Sequence, residues 1–168
     1  MEAQELRALQ EPLKQKYREE PQSAVITLKA EARMGEGITC NVETAKGLIE
    51  AGLHPATGGT GLSACSGDML LQALAACAGV TLRAVATAID VDLRDATIHA
   101  EGDLDFRGTL AVAKDAPVGF KAIRLRFDLE SSATEEQLAT LLKLTERYCV
   151  VYQTLANPPA LTASEARA

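Results

Sequence analysis

The stretch from Ser66 to Ile89, SGDMLLQALAACAGVTLRAVATAI, constrains the fold more than any other part of this sequence. It carries no charged side chain between Asp68 and Arg83. That uncharged run is shorter than the ~20 apolar residues that a membrane span needs, so we predict a core helix and no membrane partner. Apolar residues occur all round this helix, which predicts burial on several sides at once. Cys77 lies in the middle of it, so a thiol is expected inside the packing.

Composition supports one soluble domain and excludes several partners. The chain has 168 residues, of which 47% are hydrophobic and 24% charged, so it can bury a real core. The net charge of −6, without any run of Lys or Arg, argues against binding to nucleic acid, because neutralising phosphates requires clustered basic residues. The absence of tryptophan also argues against a stacking surface for single strands.

The N-terminal segment is charged throughout and contains no apolar signal-peptide region. We therefore expect a cytoplasmic protein whose thiols are reduced by default. Residues 3–18 have a narrow apolar stripe that predicts a helix, so residues 1–20 are assigned as an N-terminal helical extension. Residues 21–160 form the predicted single domain, and residues 161–168 are either a tail or an edge strand.

Alternating apolar and polar residues predict several strands around the central helix. Residues 23–33 and 38–44 read as a β-hairpin, whereas the glycine-rich residues 51–66 read as a loop ending in a Ser66 helix cap. Further strands are predicted at 97–101, at Leu104 with Phe106, at Leu110 with Val112, and most clearly at 120–129. A second helix is predicted from a capping box at Ser132 to Glu135. Strands mixed with a few helices indicate an α+β fold.

The cysteines carry the main chemical signal of the sequence. Cys77 and Cys149 each lie on an apolar stripe of a predicted helix, while Cys40 and Cys65 are interpreted as packing residues. No CxxC pair, HExxH motif or Cys/His cluster at zinc spacing is present, so we expect no metal site. Gly79 and the alanines near it would allow another helix or a partner chain to approach closely, which suggests a dimer contact.

Two segments of the chain resemble motifs of a known family. The segment LLQALAACAGVTLRAVA, with Asp68 ahead of it, is similar to the central helix motif of OsmC/Ohr-like proteins, and ERYCVVYQTL around Cys149 is similar to their second cysteine motif. The resemblance implies an OsmC-like fold, with antiparallel sheets around a long buried helix and an intertwined homodimer. It also implies a thiol peroxidase that acts on small organic hydroperoxides.

In that family the helix cysteine, here Cys77, attacks the peroxide, and the second cysteine, here Cys149, resolves the sulfenic acid as a disulfide. The resemblance further implies an activating arginine, for which Arg33 is the matching candidate, and an orienting carboxylate, for which Asp68 is the candidate although it stands one position later than in the peroxidases. No cofactor is expected to be bound, and the reductant is an external dithiol, lipoyl-type in some members. An alternative stays open, in which the protein is a dimeric module that binds an apolar ligand and both cysteines are structural; likewise Arg83 is an alternative to Arg33.

Overall fold

A computed structural model of the protein describes residues 31–34, 39–44, 47–111 and 113–166, together with the isolated positions 4, 5, 8 and 19. The predicted N-terminal helix therefore falls almost entirely outside the described residues, as do residues 23–30 of the predicted first strand. The assignment of domains remains a prediction.

The first sheet contains β1 (Glu31–Met34), β2 (Thr39–Thr44), β3 (Gly47–Gly52) and β4 (Ala64–Cys65), in that spatial order. Strands β1 and β2 pair antiparallel, which confirms the predicted hairpin. Strand β3 continues the antiparallel sheet, and β4 pairs with it in parallel. The prediction of an uninterrupted loop over 51–66 was wrong at both ends: glycines flank β3 and hide its strand signal, and the two-residue β4 is defined only by its pairing with β3.

The central helix, α1, extends from Ser66 to Ala88, as predicted. Its N-cap is Cys65 and not Ser66, because pairing with Gly52 holds Cys65 in an extended conformation. One face of α1 is buried through Leu74, Ala78, Leu82, Val85 and Ala86. The opposite face is open in this chain, with Val80 73% exposed, so the prediction of burial on several sides is not met within one copy of the protein.

Helix α1 is the one helix of the described segments that is long and apolar enough to cross a membrane. Core helices of soluble proteins have the same length and composition, and α1 packs against β5 and against the two C-terminal helices of the described chain. We therefore interpret it as the core helix of a soluble fold.

The second sheet pairs β5 (Asp95–Leu104) with β6 (Phe120–Glu130) in antiparallel register. Strand β6 alternates as predicted, with half-buried apolar residues facing α1 and exposed charges on the other side, where Arg124 pairs with Asp103 and Glu101. The side chain of Ile98 on β5 lies 3.4 Å from the point where a Cβ on Gly79 would stand. That is an ordinary van der Waals distance, so the packing of β5 on α1 does not by itself require glycine at position 79.

The predicted continuation of the strand through Leu104 is confirmed, because β5 ends at that residue, but the predictions of strand at Phe106 and at Leu110 were wrong. Phe106 begins a helical turn, α2 (Phe106–Thr109), in which the Leu110 N–H donates to the Phe106 carbonyl at 2.9 Å. Leu110 itself lies in a turn, and Val112 is outside the described residues. The alternating apolar side chains at these positions are typical of a strand, but the backbone hydrogen bonds join residues close in the sequence, as in a helical turn.

Helix α3 (Glu135–Tyr148) begins two residues later than predicted, with a capping box between Thr134 and Gln137. Ser132 does not cap it, since the Ser132 hydroxyl hydrogen-bonds the Asp92 carboxylate at 2.6 Å. A break at Cys149 leads into α4 (Val150–Ala156), and residues 157–166 have no regular secondary structure. Two clusters of buried side chains fill the space between α1, the second sheet and the α3–α4 pair.

Candidate functional site

Cys149 lies at the junction of α3 and α4. Its backbone is extended, with φ −72° and ψ 108°, so it ends one helix and caps the next. The Cys149 N–H donates to the Thr145 carbonyl at 2.9 Å, and its sulfur accepts a hydrogen bond from the Tyr152 N–H at 3.5 Å. Only 1% of Cys149 is exposed. The predicted buried position of this cysteine is confirmed.

Cys77 occupies the middle of α1 at the border between its buried and its open face. It is half-buried and packs against the cluster formed by Leu74, Ala78 and Cys149. Because α1 packs against both α3 and α4, the Cys77 thiol meets the junction between them. The structure therefore brings together the two cysteines that the sequence singled out.

The environment of Cys77 favours its thiolate. Burial raises the pKa of the Cys77 thiol, but hydrogen bonds from the Val151 N–H, the Cys149 thiol, the Val150 N–H and the Thr81 hydroxyl act in the other direction and lower this pKa overall. Hydrogen bonds to the charged form stabilise it, which is the physical reason for the downward shift. A thiolate is the nucleophilic form of cysteine.

The environment of Cys149 favours its neutral thiol. Burial raises the pKa of Cys149, and both its hydrogen bond to Cys77 and the negative charge of Cys77 raise it further. The N–H groups of Tyr152 and Val151 lower the pKa of Cys149, but less than these effects raise it. The two neighbouring thiols thus differ in acidity, and Cys77 is the more acidic of the two.

The charged residues assigned from the family resemblance are not gathered at Cys77 within this chain. Asp68 is exposed on α1 and precedes Cys77 by nine positions. At ~1.5 Å and ~100° per residue, this spacing separates the two by about 14 Å along the axis and places them on opposite faces of the helix. Arg83 donates hydrogen bonds to the carbonyls of Leu93 and Arg94. The side chain of Arg33 lies outside the described part of the chain, so its role remains a prediction.

The other cysteines are away from this pair. Cys65 is a half-buried free thiol at the start of α1 and lines a cavity of about 370 Å³ with His54 and Asp68. The His54 ring accepts a hydrogen bond from the Ala56 N–H at 3.0 Å and stacks on Phe106, which gives it a structural role. The side chain of Cys40 is outside the described residues. Within the described ranges no three His, Cys, Asp or Glu side chains are grouped as metal ligands.

An apolar cavity adjoins the two thiols. It has a volume of about 420 Å³ and lies between α1, β6, α3 and α4. Six of its lining residues also belong to the packing around Cys77 and Cys149, namely Leu74, Ile123, Leu125, Phe127, Tyr152 and Leu155. Lys121 and Glu146 are the charged members of the lining. The volume and the mostly apolar side chains of this cavity suit a small molecule, although neither cysteine lines it.

Sequence reasoning missed the backbone and hydroxyl donors around Cys77. A charged partner was expected, whereas in the described residues the donors are two amides of α4, the Cys149 thiol and Thr81. One sequence signal could have indicated the amides: Val150 and Val151 follow Cys149, and two β-branched residues lower the propensity to continue a helix through that point.

Comparison with known proteins identifies the fold. The sequence matches the family model described as OsmC-like protein over residues 59–164, which is more than half of the chain. No curated protein sequence matches it significantly. The structure is similar to that of an OsmC-like protein from Mycoplasma pneumoniae, with 17% identity, a TM-score of 0.67, and coverage of 79% of this chain and 89% of that one.

Two further similar structures carry names that refer to peroxides. One is an organic hydroperoxide resistance protein OsmC from Legionella pneumophila, with 21% identity, a TM-score of 0.61, and coverage of 80% of this chain and 92% of that chain. The other is the organic hydroperoxide resistance protein OhrB of Bacillus subtilis, with 19% identity, a TM-score of 0.56, and coverage of 80% and 94%. At these identities the likeness establishes a shared fold.

Proposed function

The chain belongs to the OsmC-like protein family, and we propose that within this family it is a thiol-dependent peroxidase that reduces organic hydroperoxides. The observation that carries the proposal is the adjacency of Cys77 and Cys149, with the pKa of the first lowered and that of the second raised. The names of the similar proteins from Legionella pneumophila and Bacillus subtilis point to the same class of substrate.

The chemistry follows from this difference between the thiols. The Cys77 thiolate attacks the terminal oxygen of the hydroperoxide, the O–O bond breaks, and the alcohol leaves after taking up a proton; Cys77 becomes a sulfenic acid. The Cys149 sulfur, after losing its proton, then attacks the Cys77 sulfur, water leaves, and a disulfide forms. An external dithiol reduces this disulfide by exchange and is itself oxidised to a disulfide. No bound cofactor enters the cycle.

The hydrogen bonds to Cys77 favour its thiolate and support activation of this thiol. Arg33 remains the candidate for additional stabilisation of the developing charge. Asp68 remains the candidate for orienting that arginine, and it stands too far along α1 to contact Cys77 of its own chain.

We include a cytoplasmic homodimer in the proposal. The open face of α1 carries Leu70 and Val80, which are 37% and 73% exposed, with Ala73 and Ala76 between them. Small and apolar residues on one helical face suit close packing against the same face of a second copy. Cys77 borders this face, so the proposed interface adjoins the thiol pair.

The test is the reaction of the reduced protein with cumene hydroperoxide, followed by stopped-flow detection of thiol loss. Wild type and Cys65→Ser should react at the same rate, whereas Cys77→Ser should lose the rapid phase. The Cys65→Ser variant is a matched control, because it removes a half-buried thiol of the same helix region without touching the pair. Absence of a rapid phase in wild type, or its survival in Cys77→Ser, would disprove peroxidase function.

The apolar cavity supports a second candidate function, in which the protein binds a small apolar ligand and the cysteines are structural. The reaction of reduced wild type with cumene hydroperoxide distinguishes the two. Under the second function wild type shows no rapid peroxide reaction, and a Cys77→Ser/Cys149→Ser double variant retains affinity for the fluorescent probe 1-anilinonaphthalene-8-sulfonate. Under the first function the peroxide reaction is present in wild type whatever the probe does.

A further inference from the structure

Phe120 lies between two cavities of the protein. It lines the apolar cavity of about 420 Å³, and it also lines the cavity of about 370 Å³ at Cys65, named here the Cys65 cavity. Among the described residues that line these two cavities, Phe120 is the only one common to both. Its side chain is therefore the wall that separates them.

Two glycines make room for the ring of Phe120. A Cβ on Gly102 of β5 would lie 2.5 Å from Cε1 of this ring, much closer than the ~3.5 Å contact of two carbon atoms. A Cβ on Gly67, in the first turn of α1, would lie 3.5 Å from Cζ of the same ring. The ring therefore extends from the start of β6 across β5 to α1, and it closes the apolar cavity at this end.

The two cavities differ in the chemistry of their walls. Most of the side chains around the apolar cavity are aliphatic or aromatic. The Cys65 cavity contains His54, Asp68 and Asp103 as well as apolar side chains. An alkyl chain gains affinity by about fourfold for each methylene that it buries among apolar groups, so it favours the first cavity up to the wall.

We propose that Phe120 is a specificity-determining residue, in that the apolar cavity holds the alkyl chain of the hydroperoxide and the Phe120 ring sets the longest alkyl chain that fits. The inference deepens the proposed function and rests on it. The lining of the cavity is shared with the packing around Cys77 and Cys149, which suits a substrate whose alkyl chain lies in the cavity while its peroxide end meets Cys77.

The experiment measures the binding of straight-chain primary alcohols, from 1-butanol to 1-decanol in two-carbon steps, by NMR titration of the reduced protein. These alcohols are the products of reducing the matching hydroperoxides, and they do not react with thiols. In wild type the affinity should rise with length up to a limit and then stop rising. In Phe120→Ala the limit should move by at least one step, so that the first alcohol beyond the wild-type limit binds at least about fourfold more tightly than to wild type.

Two further variants isolate the wall from a general loss of packing. Phe127→Ala is the matched control, because Phe127 lines the apolar cavity but not the Cys65 cavity, and its truncation should leave the limit where it is. The double variant Phe120→Ala/Gly102→Val places a side chain where the ring was, and it should restore the wild-type limit. Valine suits position 102, because β5 holds this residue in a strand.

An absence of alcohol binding or of a length limit in wild type would overturn the proposal, as would an unchanged limit in Phe120→Ala or an equal shift in Phe127→Ala. If Phe120→Ala does not fold, as judged by circular dichroism, Phe120→Val decides in the same way. Stopped-flow reaction with the matching n-alkyl hydroperoxides should show the same limits. Alcohol binding needs no peroxide chemistry, so failure of the peroxidase function and failure of this inference are separately visible.

Discussion

Truncation of Leu74 to alanine tests the packing that holds the thiol pair. Leu74 is 1% exposed and lies in the cluster that contains Ala78 and Cys149. It also lines the cavity of about 420 Å³, so the space left by the truncation would join that cavity and could not collapse easily. Buried Leu→Ala changes cost about 2–5 kcal/mol and cost more where the site collapses less, so we expect Leu74→Ala to cost at least about 3 kcal/mol.

Urea unfolding at one fixed protomer concentration, under reducing conditions, measures this loss. With a slope of about 2 kcal/mol/M, a loss of about 3 kcal/mol lowers the unfolding midpoint by roughly 1.5 M. Leu62→Ala is the control, because Leu62 is 91% exposed and its truncation should change stability by less than about 0.5 kcal/mol. A loss below about 1 kcal/mol in Leu74→Ala would refute the packing described for this cluster.

Three other predictions concern the reactivity and assembly of the site. In a pH series with iodoacetamide, Cys77 should be alkylated at lower pH than Cys149, because the pKa of Cys77 is lowered and that of Cys149 is raised. The reverse order would contradict the assignment of Cys77 as the attacking thiol and Cys149 as the resolving thiol. Val80→Asp should convert the proposed dimer to a monomer, as measured by light scattering at micromolar concentration. The control Val118→Asp, at a residue that is 65% exposed outside this face, should leave the dimer intact. A monomeric wild type or a dimeric Val80→Asp would contradict the proposed interface. When the oxidised protein is treated with 2-mercaptoethanol and quenched in acid, the mixed disulfide should form on Cys77, because Cys149 is only 1% exposed. An adduct chiefly on Cys149 would show that burial does not direct the thiol–disulfide exchange.

The elements predicted correctly are those whose pattern is set by burial over many residues. Helix α1 and strand β6 have long apolar runs with one period, and both were located within one or two residues of their ends. The sequence also singled out Cys77 and Cys149, since each lies on an apolar stripe. The features that could not be predicted depend on contacts between residues far apart in the sequence. Strand β4 has two residues and is defined by its pairing with β3. The capping box was misplaced because the Ser132 hydroxyl binds the Asp92 carboxylate.

The donors at Cys77 show the same limit. The break at Cys149 that aims the Val150 and Val151 amides at the sulfur depends on how α3 and α4 meet α1, and no local pattern encodes that meeting. The separation of Asp68 from Cys77, in contrast, follows from helix geometry alone.

Mapping the disulfide formed by one equivalent of cumene hydroperoxide tests directly whether Cys77 and Cys149 act as the attacking and resolving thiols. Peptide mass spectrometry of the oxidised protein should find Cys77 linked to Cys149, and the Cys149→Ser variant should instead retain a Cys77 sulfenic acid that dimedone traps. Oxidation that leaves both thiols free, or that links Cys65 or Cys40 in place of this pair, would contradict the proposed Cys77–Cys149 mechanism.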